Sequence, residues 1–129
     1  MHALDISKEA LNVAKRNAAA QELEINFHLL NILDKGKWNE LPAFDIIVSN
    51  PPYVKQSEAT TMHKNVLRHE PYVALFVPDE DALLFYRTIA AFALHHLNTP
   101  GKLFFEINET LGNEVYHLLA QHGYKNIKV

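Results

Sequence analysis

The chain contains no cysteine, which excludes disulfides and thiolate metal sites. It has only four glycines, Gly36, Gly101, Gly112 and Gly123, and none stands in a strand-to-helix turn with Gly-x-Gly spacing. A nucleotide-type cofactor needs such a turn for close backbone approach, so these residues supply no glycine cradle of that kind. No apolar run is long enough to cross a bilayer and nothing resembles a signal peptide, so a cytoplasmic protein without membrane contact is expected. A formal net charge of -3 gives no broad phosphate-binding surface and argues against nucleic acid as a partner, with Lys35, Lys37 and Lys64 as a local basic group. The eight histidines are scattered without His-Glu-x-x-His spacing, and the adjacent His95 and His96 diverge on a helix, so no metal site is expected.

With 129 residues and 48% hydrophobic content, the chain is read as one domain over residues 1–129. Ala3-Leu4-Asp5-Ile6 looks like the tail of a strand, and Ser7 caps a helix to about Ala20 with Ala10, Val13 and Ala14 on its apolar face, supported by Leu11 and Ala18. Ile25, Phe27 and Leu29 alternate as a second strand, and Phe44 to Val48 forms a third. Val54 to Pro78 reads as a long functional loop or lid. Asp79, Glu80 and Asp81 load the start of a helix bearing Tyr86, Ile89, Ala90, Ala93 and Leu97 on one face, which stops before Pro100-Gly101. Leu103 to Ile107 is a fourth strand, and Thr110 caps a last helix closed by Gly123. Strands alternating with helices imply an α/β fold with a doubly wound, mainly parallel sheet.

Asn50-Pro51-Pro52-Tyr53 directly follows the third strand, at the carboxyl edge where open α/β sheets bind ligands. Asn50 precedes a proline and is held extended, while Pro51 and Pro52 have fixed φ and no N–H. Such a loop offers acceptors and few competing donors. The Asn50 side-chain oxygen and the Pro51 carbonyl can each take one N–H of a planar amino group, with the Tyr53 ring stacked on the flat group. A turn that merely ends a strand is the plain alternative. Asp5, between a strand and a helix, taken alone suits the amide groups of the helix start, and in combination with Asn50 suits ribose hydroxyls.

These segments resemble the class I S-adenosylmethionine-dependent methyltransferases, and within them the HemK/PrmC type that methylates the glutamine of the Gly-Gly-Gln motif in peptide chain release factors. The resemblance covers nearly the whole chain. It is carried by Ala3-Leu4-Asp5-Ile6-Ser7, by Phe44-Asp45-Ile46-Ile47-Val48-Ser49-Asn50-Pro51-Pro52-Tyr53-Val54, by Val66-Leu67-Arg68-His69-Glu70-Pro71 with Ala74-Leu75, and by Phe104-Phe105-Glu106-Ile107. It implies a Rossmann-like fold, S-adenosylmethionine as cofactor and release factors as protein substrates. The implied cofactor contacts are Asp5, Ile6, Asn31 and Asn50; the implied catalytic residues are Asn50, Pro51 and Tyr53; and Pro52 and Glu70 join them in binding substrate. Asn31 stands where the family usually has an acid, with Asp34 as a nearby substitute, and Asn108 where glycine is common.

The Asn-Pro-Pro-Tyr signature alone extends to base amino methyltransferases, so methylation of a flipped adenine, cytosine or guanine is the first alternative. The second is a non-catalytic fragment that self-associates through open sheet edges. The chain opens within the strand carrying Asp5, so the family's first strand and glycine-rich loop are expected upstream of Met1, and Ile127 to Val129 reads as the stub of a further element. This chain alone is accordingly expected to bind S-adenosylmethionine weakly or not at all, and either to be marginally stable as a monomer or to pair with another copy. Calorimetric titration and sedimentation test this, and a stable monomer that binds the cofactor tightly would contradict it.

Overall fold

The structure, a computed structural model, describes residues 1–60 and 72–129. The chain forms two compact units, Met1–Leu41 and Pro42–Val129.

In the first unit strand β1 (His2–Asp5) runs parallel to β2 (Asn26–Leu29), with Ala3 opposite Phe27 and Asp5 opposite Leu29. A parallel pair needs a crossover, here helix α1 (Lys8–Ala20). Ser7 caps it as expected: its Oγ accepts from the Ala10 amide at 3.1 Å. The buried stripe is Leu11 and Ala18, with Ala14 half-buried between them. Val13, expected on that face, is 46% exposed, because positions 11, 14 and 18 share one side of a 3.6-residue helix and 13 lies off it. The helix closes with the Leu23 amide on the Ala18 carbonyl at 2.9 Å and the Glu22 amide on the Ala19 carbonyl at 3.2 Å. Those two bonds define a Schellman cap, and it puts Glu22 at φ 54°, where glycine is the usual residue. Beyond β2, a 3-10 turn (Lys35–Glu40) buries Trp38, whose indole N–H donates to the Ile32 carbonyl at 2.9 Å.

In the second unit β3 (Phe44–Ser49) runs parallel to β6 (Leu97–Phe105). Ile46 to Ser49 lie opposite Lys102 to Phe105, whereas Phe44 lies opposite Leu97, so three extra residues arch out of β6 between these registers. Gly101 sits in the arch, where an added Cβ would lie 2.5 Å from the Asn98 carbonyl oxygen, so only glycine fits. Helix α3 (Leu84–His96) buries Tyr86, Ile89, Ala90, Phe92 and Ala93, and helix α4 (Gly112–Gln121) buries Val115 and Leu118. The Tyr124 hydroxyl donates to the Ala90 carbonyl at 2.8 Å. Gly123, at φ 85°, closes α4 with the Tyr124 amide on the Leu119 carbonyl at 3.1 Å, as expected for that glycine.

Several expectations are corrected here. The segment read as a loop from Val54 to Pro78 carries at its described ends a short parallel pair, β4 (Val54–Lys55) with β5 (Phe76–Val77), together with a 3-10 turn (Gln56–Thr60) and one turn of helix, α2 (Tyr72–Leu75), while its residues 61–71 lie outside the described residues. Phe76 and Val77 are buried, and buried backbone requires hydrogen-bond partners. The acids before α3 lie outside its first turn: Asp79 accepts from the Ser57 amide at 2.9 Å and Asp81 pairs with Arg87. Direct bonds of this kind outweigh a charge–dipole contact of a few tenths of a kcal/mol. Helix α3 ends at His96, and Leu97 starts β6, three residues before Pro100. Asn108, not Thr110, is the cap beyond β6: its Oδ1 accepts from the Thr110 amide at 3.0 Å and the Thr110 hydroxyl at 2.8 Å, ahead of a 3-10 turn (Glu109–Leu111). Its oxygen reaches two donors that Thr110 itself supplies. Ile127 to Val129 carry no strand.

Every ladder is parallel, and among the described residues they form three separate pairs, β1–β2, β3–β6 and β4–β5. No helix among the described residues is long and apolar enough to cross a membrane. The two Schellman caps generate a prediction: Glu22→Gly removes a left-handed strain that Gly123 does not carry. Net of glycine's greater unfolded-state entropy, it should raise stability by roughly 0.5–1 kcal/mol in urea denaturation.

Candidate active site

The residues after Ser49 form the end of the β3–β6 ladder. Pairing continues one step past the strands, because the Glu106 amide donates to the Ser49 carbonyl at 2.9 Å. Pro51 and Pro52 then offer no N–H, so the ladder stops there. Asn50 is exposed, Pro51 buried, and Pro52 and Tyr53 half-buried. The Asn50 side chain has no hydrogen-bond partner among the described residues, which leaves its oxygen and its NH2 group available at the strand end.

Tyr53 is held. Its hydroxyl donates to Glu106 Oε1 at 3.1 Å. Partial burial first, then this hydrogen bond and the carboxylate's charge, push its phenol above the ordinary value, so it remains a donor. Glu106 is fixed in turn by the core: Tyr86, fully buried on α3, donates its hydroxyl to the Glu106 carbonyl at 3.2 Å and accepts from the Asn108 amide at 3.4 Å. Phe105 packs edge-on against the Tyr86 ring at 5.3 Å. Burial pushes the Tyr86 phenol to about 12, partly offset by the Asn108 amide, with Tyr53 and Glu106 adding to the rise.

In the first unit Asp5 is half-buried at the carboxyl end of β1, and its Oδ1 accepts from the Ser7 amide at 2.7 Å. That local contact is the plainer of the readings its position allows. Ile6 beside it is 56% exposed. Asn31 follows β2, and its Oδ1 accepts from the Leu33 amide at 3.0 Å. Asp34 is exposed and stands 4.0 Å from the Lys37 ammonium.

Thus Asn50, Pro51, Pro52 and Tyr53 stand together in the second unit, and Asp5, Ile6 and Asn31 in the first. Glu70 lies outside the described residues. Among the described residues no group of three or more histidines and acids is arranged to hold a metal; His96 is buried, stacked on Phe92 and bonded to its carbonyl at 3.1 Å. Sequence reasoning missed Tyr86 and the carboxylate of Glu106 as parts of this site. Both carry a signal: a tyrosine on a buried helix face needs a partner for its hydroxyl, and an acid directly after a parallel strand falls level with the end of the neighbouring strand.

The chain is similar to known methyltransferases. The family model of the methyltransferase small domain matches residues 1–72. The chain is 49% identical over 124 residues to the release factor glutamine methyltransferase of Flavobacterium psychrophilum, covering 96% of this chain and 43% of that protein. It is 42% identical over 127 residues to that of Bacteroides thetaiotaomicron, covering 98% and 45%. A bifunctional methyltransferase of Rickettsia bellii is 36% identical over 125 residues, covering 95% of this chain and 22% of that protein. The chain therefore spans less than half the length of these relatives.

The buried Tyr86 hydroxyl generates a prediction. Tyr86→Phe leaves the Asn108 amide and Glu106 carbonyl without this partner and should cost roughly 1–2 kcal/mol in urea denaturation. Its phenol stays protonated beyond its ordinary value of 10.0, up to about 12. Its stabilising contribution is therefore complete below pH 10 and disappears as pH rises through 12. Base unfolding of Tyr86→Phe should accordingly be shallower over that range than that of the parent.

Proposed function

Because the chain belongs to the methyltransferase small domain family, we propose that it provides the substrate loop and part of the cofactor site of an enzyme that methylates the side-chain amide nitrogen of glutamine in the Gly-Gly-Gln motif of peptide chain release factors. The observation that carries this reading is the pairing of a free, exposed Asn50 with a Tyr53 whose ring is tied down beside it. The names of the relatives support this substrate class.

In this reading the Asn50 Oδ1 and the Pro51 carbonyl accept the two N–H groups of the substrate amide, and the Tyr53 ring lies against its plane. An amide nitrogen is a poor nucleophile, since its lone pair is delocalised into the carbonyl. Fixed acceptors orient that lone pair and favour the positive charge that develops on nitrogen, so the loop acts by orientation and electrostatics. Glu70 is assigned to substrate binding from the family pattern.

The donor set fits S-adenosylmethionine. Asp5 uses one oxygen locally, and its other oxygen has no partner among the described residues and suits a ribose hydroxyl. Ile6 beside it offers the cofactor an exposed apolar side chain. Asn31, oriented by its bond to Leu33, retains a second lone pair for the adenine amino group, and Asp34 is the alternative acceptor. When bound, that cofactor supplies an electrophilic methyl group on a sulfonium.

A test follows in a protein extending this chain to the full length of its relatives. Asn50→Ala should lower the rate of release factor methylation on the order of a hundredfold, by analogy with the loss of one oriented oxyanion donor, while cofactor affinity changes little. Near-normal turnover would exclude the assignment. Methyl label appearing in DNA or ribosomal RNA, with none on the release factor glutamine, would move the function to a base amino methyltransferase.

A further inference from the structure

We propose that Glu106 is a positioning residue, which fixes the ring of Tyr53 and acts on the reaction only through it. The proposal rests on the reading of Asn50-Pro51-Pro52-Tyr53 as the amide-binding loop. Pro51 and Pro52 restrict the backbone of the loop, but nothing in a proline restricts the χ angles of the tyrosine that follows. A half-buried ring needs a second anchor to keep one plane. The Tyr53 hydroxyl finds it in Glu106 Oε1 at 3.1 Å.

Glu106 is suited to this because its backbone is immobilised on both sides. Its amide is the last rung of the β3–β6 ladder, 2.9 Å from the Ser49 carbonyl, and its carbonyl accepts from Tyr86, which has no exposed surface. The Tyr86 oxygen is held in turn by the Asn108 amide. A chain of hydrogen bonds thus runs from the core helix α3 through Glu106 to the loop. The rung at Ser49 sets the spacing between Glu106 and the residue preceding Asn50. The acceptor end of the loop and its aromatic end are therefore referenced to one backbone position.

A carboxylate makes a stronger acceptor for a phenol than a neutral group does. Glutamine still offers an oxygen of the same reach, so it should preserve the tie, whereas alanine removes it. In the protein extended to the full length of its relatives, Glu106→Ala should lower kcat for release factor methylation about tenfold, the cost of one hydrogen bond, with little change in the KM for S-adenosylmethionine. Glu106→Gln should restore most of that loss. Tyr53→Phe keeps the ring and loses the hydroxyl, so it should behave like Glu106→Ala, and the double variant should be no worse than either single one. Additive losses, or full kcat in Glu106→Ala, would overturn the proposal.

The tie itself is readable in this chain without turnover. With 13C-labelled tyrosine and Tyr53→Phe for assignment, the Tyr53 phenol should titrate at lower pH in Glu106→Gln than in the parent, because the charge that opposes its ionisation is gone. An unchanged titration would show that Glu106 does not hold the ring. If this shift is present but Asn50→Ala methylates normally, the proposed function falls and the tie stands. If Asn50→Ala is inactive and Glu106→Ala is not, the tie has no part in the reaction.

Discussion

The hydrogen bond from the Glu106 amide to the Ser49 carbonyl is the constraint on which the candidate site depends. It is the final rung of a parallel ladder, and beyond it two prolines end all further pairing. One strand end is thereby freed to become a loop, while the other stays attached to its helix. Tyr86 completes the arrangement by putting a hydroxyl at the one buried position where the Glu106 carbonyl and the Asn108 amide both need a partner. Rigidity at the loop is borrowed from the core.

The two faces of the β3–β6 pair are used differently. Ile47, Ser49, Leu103 and Phe105 share one side, and Tyr86 of α3 packs against Phe105 there. Ile46, Val48 and Phe104 share the other and are 56%, 74% and 50% exposed. An alternating strand normally buries one face and wets the other. Here both faces are apolar, as in strands of parallel sheets that are covered on both sides.

Local features were legible in the sequence, and remote ones were not. The Ser7 cap, the Gly123 terminus and the strand before Asn50 depend on residues within one turn or one strand of each other. Likewise the rigidity of Asn50-Pro51-Pro52 follows from proline chemistry alone. The pairing of Glu106 with Ser49 joins residues far apart in sequence, so the Tyr53 anchor could be found only once the register was known. Asp79 and Asp81 were misread for a related reason: acids before a helix fit its dipole, but their bonds to Ser57 and Arg87 depend on where distant segments arrive. Glu22 gave no signal at all, since its left-handed backbone is imposed by the helix end and contradicts its own preference.

The arch in β6 separates two lengths of the same ladder. Phe44 faces Leu97 below it, Ile46 to Ser49 face Lys102 to Phe105 above it, and Asn98 reaches back from the arch to Asp45 at 2.9 Å. Because the offset between the strands changes within the arch, the upper register is established independently of the lower one. A residue gained or lost between Asn98 and Gly101 would be absorbed as a larger or smaller arch, and the alignment of Ser49 with Phe105 would not move. The fold thus contains an expansion joint, which insulates the register at the Ser49 end of the ladder from variation in chain length at the other.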